Sequence, residues 1–135
     1  MQEPHNLVAL VTLFSLILFL ATGMGVARAR VKYGVTAPAT TGDETFERHF
    51  RVQMNTLEQL VIFLPALWLF AIYWNDRVAA LLGLIWLIGR VMYMTGYVAD
   101  PKKRGAGFGI AGLASLVLLV GGLVGVGRVM MLTGV

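Results

Sequence analysis

Four long apolar stretches limit what this chain can fold into more than any other feature of its sequence. They cover residues 7–27, 60–74, 78–98 and 105–127. A bilayer core needs about 20 helical residues, and the shorter second stretch continues a helical pattern that begins near Thr45. With 58% hydrophobic and only 13% charged residues, a soluble fold of 135 residues could not bury this apolar surface. The sequence therefore predicts an all-α integral membrane four-helix bundle.

The chain is long enough for one domain, and we predict a single transmembrane domain over residues 1–135. A polar loop, a tight turn at Asn75 and Asp76, and a basic turn at residues 100–105 connect its spans. The spans are predicted at about residues 6–29, 45–74, 76–98 and 105–132.

Basic residues are distributed unevenly between the two sides of such a bundle. With four spans, the first and third connections lie on one side, and that side carries eight of the 11 Lys and Arg residues. They are Arg28, Arg30, Lys32, Arg48, Arg51, Lys102, Lys103 and Arg104. The positive-inside rule then predicts cytoplasmic loops one and three, with both termini on the opposite side. Because these charges flank apolar runs, they indicate membrane orientation rather than a nucleic-acid partner.

Cysteine is absent and histidine is rare. Without Cys, the chain has no disulfide framework, no thiolate metal site and no cysteine nucleophile. The two histidines, His5 and His49, lack metal-ligand spacing, so no metal site is predicted. Any thiol chemistry must use a thiol that a ligand carries.

Several polar residues fall inside the predicted second span, where a charge at the bilayer centre costs roughly 2.5–3.5 kcal/mol. At about 100° per residue, Asn55 and Glu58 lie within roughly 40° of Arg51 and form one stripe. Gln53 lies on the opposite face. One face can serve its own bundle and the other a neighbouring subunit, which indicates an oligomer.

The third span repeats this pattern, because Arg90, Tyr93 and Tyr97 share one helix face and Arg104 follows at the start of helix four. Arg suits carboxylates, Glu an ammonium group, and Asn and Gln suit amides, so the set fits a zwitterionic, peptide-like ligand. A structural alternative is a Glu58–Arg90 ion pair. In that case Tyr97 is an interfacial aromatic residue and residues 102–104 set the topology.

The run Phe46-Glu47-Arg48-His49-Phe50-Arg51-Val52-Gln53-Met54-Asn55-Thr56-Leu57-Glu58 resembles the signature of the MAPEG family, the membrane-associated proteins in eicosanoid and glutathione metabolism. The order of spans, the spacing of Arg90, Tyr93 and Tyr97, and the position of Arg104 match as well. The resemblance covers nearly the whole chain. It is closest to the leukotriene C4 synthase and microsomal glutathione transferase type.

This resemblance implies a homotrimer that binds glutathione, its co-substrate, between adjacent subunits near the cytoplasmic face. Arg104 would stand beside the sulfur as the catalytic residue, and Arg90 would support the site. One subunit would hold glutathione through Arg51, Asn55, Glu58, Tyr93 and Tyr97. Arg30 and Gln53 would come from the next subunit. Three positions depart from the leukotriene synthase pattern: Gln59 replaces a tyrosine, Val31 replaces an arginine, and Pro65 lies one turn late.

The predicted function is that of a membrane-bound glutathione transferase or peroxidase acting on lipophilic electrophiles, with membrane lipid as its surroundings. One alternative is a non-catalytic scaffold that binds lipid or glutathione. Another is a small transporter subunit, which would spread polar residues across the membrane thickness.

Overall fold

The structure is a computed structural model and describes residues 4–135. This part of the chain forms four α-helices, and a short 3-10 helix joins the third to the fourth. The helices are α1 (Asn6–Tyr33), α2 (Glu44–Tyr73), α3 (Asp76–Ala99), the 3-10 helix (Pro101–Arg104) and α4 (Gly105–Thr133). All four α-helices are long and apolar enough to cross a membrane. The predicted fold class is confirmed.

Local capping explains where these helices begin and end. The Asp43 carboxylate accepts a hydrogen bond from the Phe46 amide at 2.9 Å and starts α2. Asn75 caps α3 in the same manner. Helix α1 continues to Tyr33, beyond its apolar run, and ends at Gly34, whose φ of 68° lies in the left-handed region that favours glycine.

Helices α2 and α3 occupy the middle of the bundle, because α1 and α4 each pack against both of them. Phe63 of α2 and Trp86 of α3 are fully buried and stack with ring centroids 3.9 Å apart. Outward-facing Leu, Ile and Val side chains are exposed on all four helices. That apolar outer surface suits lipid, and the chain is an integral, multi-pass membrane protein.

The α3–α4 crossing depends on two glycines. A Cβ on Gly89 would lie 2.7 Å from the Ala111 nitrogen, and a Cβ on Gly107 would overlap the backbone nitrogen of Tyr93. Small residues allow helix backbones to approach closely in lipid, where no hydrophobic force joins helices. This contact fixes Tyr93 relative to α4.

The two ends of the bundle carry different connections. The basic end carries the loop at residues 34–43 and the 3-10 helix. The turn end carries the α2–α3 turn, the start of α1 and the end of α4. At the turn end, the His5 ring nitrogen Nδ1 lies 3.3 Å from Asp76 Oδ1. The Trp74 indole donates to the Gly121 carbonyl at 2.6 Å, which ties α2 to α4.

Candidate functional site

An ion pair marks the outer face of α2. Arg51 Nη1 lies 3.4 Å from Glu58 Oε1, and the two side chains are 52% and 55% exposed. Seven residues span about two turns, so both groups share one face of the helix. An exposed pair of this kind contributes little to stability, which leaves both groups available to a ligand. Glu58 pairs with Arg51, not with Arg90 as the structural alternative requires.

Arg90 is the buried charge of the bundle, with 1% of its surface exposed. Its Nη1 donates to Asn55 Oδ1 and its Nη2 donates to Thr56 Oγ1, both at 2.8 Å. Its Nε is buried without a hydrogen-bond partner. Among the ion pairs within residues 4–135, none involves Arg90. Neutral acceptors therefore hold the guanidinium, and no carboxylate within residues 4–135 pairs with it.

Two tyrosines extend from this charge towards the basic end. The Arg90 guanidinium carbon lies 4.3 Å from the centroid of the buried Tyr93 ring. Tyr97 stacks on Tyr93 with ring centroids 5.6 Å apart, and the Phe108 ring of α4 lies tilted to Tyr93 with its centroid at 6.1 Å. Tyr93 thus packs among Arg90 and Tyr97 of α3 and Phe108 of α4.

Arg104 is the last residue of the 3-10 helix, is exposed and directly precedes α4. The Asp100 carboxylate accepts from the Lys102 amide at 3.0 Å and starts this helix. A Cβ on Gly96 would lie 2.9 Å from the Lys103 carbonyl oxygen, so glycine lets the 3-10 helix pack on α3. These contacts place Arg104 beside the end of α3. We name the resulting surface the arginine–tyrosine face; its members are Arg51, Asn55, Glu58, Arg90, Tyr93, Tyr97 and Arg104.

Two predicted residues lie away from this face within one chain. Arg30 donates to the Ala39 carbonyl at 2.8 Å, and its guanidinium carbon lies 4.8 Å from the centroid of the Phe46 ring. The Gln53 side chain packs against α1, where its Nε2 would lie 3.3 Å from a Cβ on Gly23. Both residues are on the α1 side of the basic end. A single chain does not bring them to the other predicted residues.

Two large cavities lie elsewhere in the bundle. One of about 550 Å³ is at the turn end around His5 and Asp76. The other, of about 450 Å³, lies between α1, α2 and α3 near the basic end and is mainly apolar. Its lining residues are Ala21, Thr22, Gly25, His49, Val52, Met94, Thr95, Val98 and Ala99. Neither cavity is lined by a member of the arginine–tyrosine face. Arg51, Glu58 and Arg104 of this face are exposed, whereas Asn55, Arg90 and Tyr93 are buried.

Sequence reasoning missed Thr56, which is 1% exposed and binds Arg90. Threonine is uncharged and can pack among apolar side chains. Nothing in the composition of the run therefore distinguished Thr56 from a packing residue. Its position directly after Asn55 was the available signal, since neighbouring residues of a helix can face the same inner groove.

Comparison with known proteins agrees with this architecture. The MAPEG family model matches residues 8–124. An uncharacterized protein of Synechocystis sp. is 52% identical over 118 residues, which cover 87% of this chain and 86% of that protein. Microsomal glutathione S-transferase 2 of Homo sapiens is 44% identical over 99 residues, covering 73% and 67% respectively.

Leukotriene C4 synthase of Cavia porcellus is 38% identical over 104 residues, which cover 77% of this chain and 69% of that enzyme. The family model spans all four α-helices, and the matched region contains every residue of the arginine–tyrosine face. The chain belongs to the MAPEG family.

Proposed function

We propose that this protein is a membrane-bound glutathione-dependent transferase or peroxidase that acts on lipophilic electrophiles. The observation that carries the proposal is the arginine–tyrosine face. Its arginines outnumber its single carboxylate, that of Glu58, and it lies at the basic end of a membrane bundle. The names of the mammalian relatives support glutathione as the co-substrate.

Glutathione matches this face group by group. Its two carboxylates suit the guanidinium of Arg51 and the positive field of Arg90, because charge-assisted hydrogen bonds are the strong ones. Its ammonium group suits Glu58. The Tyr97 phenol can donate to a carbonyl or carboxylate oxygen. One peptide-sized zwitterion can therefore engage groups from both α2 and α3.

We further propose a homotrimer in which a second subunit covers the face. Arg51, Glu58 and Arg104 of the face are exposed in one chain. Arg30 and Gln53 lie on the α1 side of the same end. Rotation about a threefold axis can place those two residues of one subunit against the face of the next. Native mass spectrometry in mild detergent tests this assembly. A protein that stays monomeric while it binds glutathione would contradict the shared site.

In the proposed mechanism, Arg104 stabilises the glutathione thiolate. A free thiol has a pKa near 8.5, so only a few per cent of it is ionised at about pH 7. The Arg104 guanidinium keeps its positive charge at any physiological pH and favours the anion beside it. Each unit by which the thiol pKa falls corresponds to about 1.4 kcal/mol. Because the chain has no Cys, glutathione itself supplies the nucleophile.

The conjugation step then needs only an electrophile that enters from the lipid. The thiolate sulfur attacks an electrophilic carbon, a carbon–sulfur bond forms, and a halide leaves with the bonding electron pair. For an epoxide, the carbon–oxygen bond breaks and the alkoxide takes a proton from water. The lipid-facing apolar surface of α4 offers a route for such substrates.

The direct test is to purify the protein in detergent, add glutathione, and measure thiolate absorbance and conjugation of chlorodinitrobenzene. We expect both signals from the parent protein. Arg104→Ala should retain glutathione binding but lose turnover by about tenfold for each unit that the thiol pKa rises. Lys102→Ala removes a neighbouring charge of the same 3-10 helix and serves as the matched control. Equal rates for Arg104→Ala and the parent would remove Arg104 from the mechanism.

A non-catalytic scaffold is the second candidate, and the 450 Å³ apolar cavity favours it because a lipid chain would fit there. This reading expects glutathione or lipid binding without thiolate formation. The thiolate measurement therefore separates the two candidates. A transporter is disfavoured because the polar residues of the face gather towards one end of the bundle.

The orientation of the bundle is part of the proposal. The basic end carries eight Lys and Arg residues, whereas the turn end carries Arg77 and Arg128. By the positive-inside rule, this difference favours a cytoplasmic basic end. The glutathione site would then face the cytosol. A reporter fused after Val135 should lie on the non-cytoplasmic side, and a cytoplasmic signal would reverse the assignment.

A further inference from the structure

The apolar cavity of about 450 Å³ is a groove that α1, α2 and α3 form near the basic end. Two threonine hydroxyls line this groove, and each is committed inside its own helix. Thr22 Oγ1 donates to the Phe19 carbonyl at 2.6 Å, and Thr95 Oγ1 donates to a carbonyl one turn back at 2.9 Å. Apart from His49, the other lining residues are Ala, Gly, Val and Met. A hydrocarbon chain can therefore occupy the groove without leaving these hydroxyls unsatisfied.

The groove opens at the surface of the bundle. Three of its lining residues are exposed, namely Ala21 of α1 and both Thr95 and Ala99 of α3. No member of the arginine–tyrosine face lines it. A lipid beside the protein can thus enter the groove from the membrane while the proposed glutathione site stays free.

His49 is the polar residue of the groove that the fold leaves uncommitted. Its Nδ1 would lie 3.3 Å from a Cβ on Gly25, so the ring faces α1 across the groove. Among the side-chain hydrogen bonds and ion pairs of residues 4–135, none involves His49. A ring N–H can donate to a ligand oxygen, and an apolar pocket with a few placed polar groups fixes the orientation of its ligand.

Basic residues continue the α1 wall of the groove towards the basic end. At about 100° per residue, Arg28 and Lys32 lie within about 60° of the lining residue Gly25 on α1. They follow Gly25 by about one and two turns. Both are exposed, and neither has a carboxylate partner within residues 4–135. A chain that fills the groove therefore leads towards positive charge that no carboxylate of the described chain pairs with.

We propose that the groove binds one acyl chain of an anionic phospholipid from the leaflet around the basic end. Arg28 and Lys32 hold its phosphate, and His49 donates to an ester oxygen. The polar groups occur at two depths, because His49 lies opposite Gly25 and the cations lie one and two turns beyond. A phospholipid carries ester oxygens and a phosphate at successive depths, whereas a fatty acid carries a single carboxylate. This inference goes beyond the proposed function, since the groove contains no residue of the proposed glutathione site.

The first measurement compares two lipids that differ only in the headgroup. Dioleoyl phosphatidylglycerol or dioleoyl phosphatidylcholine is added to the detergent-purified protein, and bound lipid is counted by native mass spectrometry. We expect the anionic lipid to bind at least about fivefold more tightly, because basic residues near a membrane surface attract anionic lipid. Equal binding of the two lipids would overturn the charge assignment. Oleate that binds as tightly as phosphatidylglycerol would overturn the choice of a phospholipid.

A second measurement fills the groove. Ala21→Phe places a ring in the space for the acyl chain, whereas Leu20→Phe is its matched control, because Leu20 is 66% exposed and lies outside the lining. We expect Ala21→Phe to lose the bound phosphatidylglycerol and Leu20→Phe to keep it, at similar melting temperatures. Equal lipid binding by the two folded variants would show that the groove is not the site.

A third measurement removes charge without touching the lining. Arg28→Gln should lower the preference for phosphatidylglycerol over phosphatidylcholine by about fivefold. Lys102→Gln removes the same charge from the 3-10 helix of the same end and should keep the preference of the parent. Equal preferences in these two variants would overturn the role of Arg28, and this pair decides if Ala21→Phe does not fold. Glutathione binding and turnover are measured separately, so their failure would overturn the proposed function and not this inference.

Discussion

The two ends of the bundle differ in how one prominent polar group of each is paired. At the turn end, His5 lies against Asp76, Trp74 donates to Gly121, and the Arg128 guanidinium carbon lies 5.3 Å from the centroid of the Trp74 ring. At the basic end, Arg90 has no carboxylate partner within residues 4–135, and its Nε is buried without a partner.

We interpret this difference as one between polar groups that hold helices together and polar groups that, in the proposed function, bind a ligand. Partnered groups at a membrane interface are satisfied by the fold and need nothing further. A buried charge without an opposite charge beside it is expensive in lipid, and such groups are commonly functional. This difference supports the proposal that ligand binding occurs at the basic end, although a cavity of about 550 Å³ lies at the turn end.

We expect the largest loss of glutathione affinity when charges are removed from the arginine–tyrosine face. Arg51→Ala and Glu58→Gln should each weaken glutathione binding by about 10- to 150-fold, since a charge-assisted hydrogen bond contributes about 1.5–3 kcal/mol. Isothermal titration of the detergent-purified protein gives these affinities.

Glu44→Gln is the matched control, because Glu44 also pairs with an arginine at the basic end, Arg48, at 2.6 Å, yet lies outside the face. We expect its affinity to equal that of the parent. Parental affinity in both face variants would show that the Arg51–Glu58 pair is structural.

The α3–α4 crossing should be the next most sensitive feature. Gly107→Ala places a methyl group against the backbone of Tyr93, where no side chain can move aside, and overpacking of this kind costs about 1–3 kcal/mol. Because α3 must shift, both the melting temperature and glutathione affinity should fall. Gly109→Ala is the control, since open space surrounds that position within residues 4–135. Equal effects of the two substitutions would exclude a role for this crossing.

The smallest effect is expected at the turn end. His5→Phe keeps an aromatic ring beside Trp68 but removes the nitrogen that faces Asp76. A partly exposed pair of this kind contributes about 1 kcal/mol or less. We expect a slightly lower melting temperature and parental rates of conjugation. A large loss of glutathione binding would mean that the two ends are coupled.

Sequence patterns predicted the helical membrane fold because long apolar runs have few alternatives in a bilayer. They also predicted which residues of one helix share a face, since Arg51 and Glu58 do meet two turns apart. The sequence patterns did not predict which side chains pair between helices. The pattern allowed Glu58 to pair with Arg90, yet Glu58 meets Arg51 while Asn55 and Thr56 hold Arg90.

By itself, then, the sequence determined that the chain enters lipid as four helices, and that α2 and α3 carry polar residues near one end. These are local properties, set by apolar length and by the 100° turn of the helix. Only the tertiary structure decided which of those polar residues are covered. The close α3–α4 contact at Gly89 and Gly107, and the packing of α3 on α2, bury Arg90 against Thr56 and leave Arg51 exposed. Such burial depends on distant parts of the chain meeting, which no local pattern encodes.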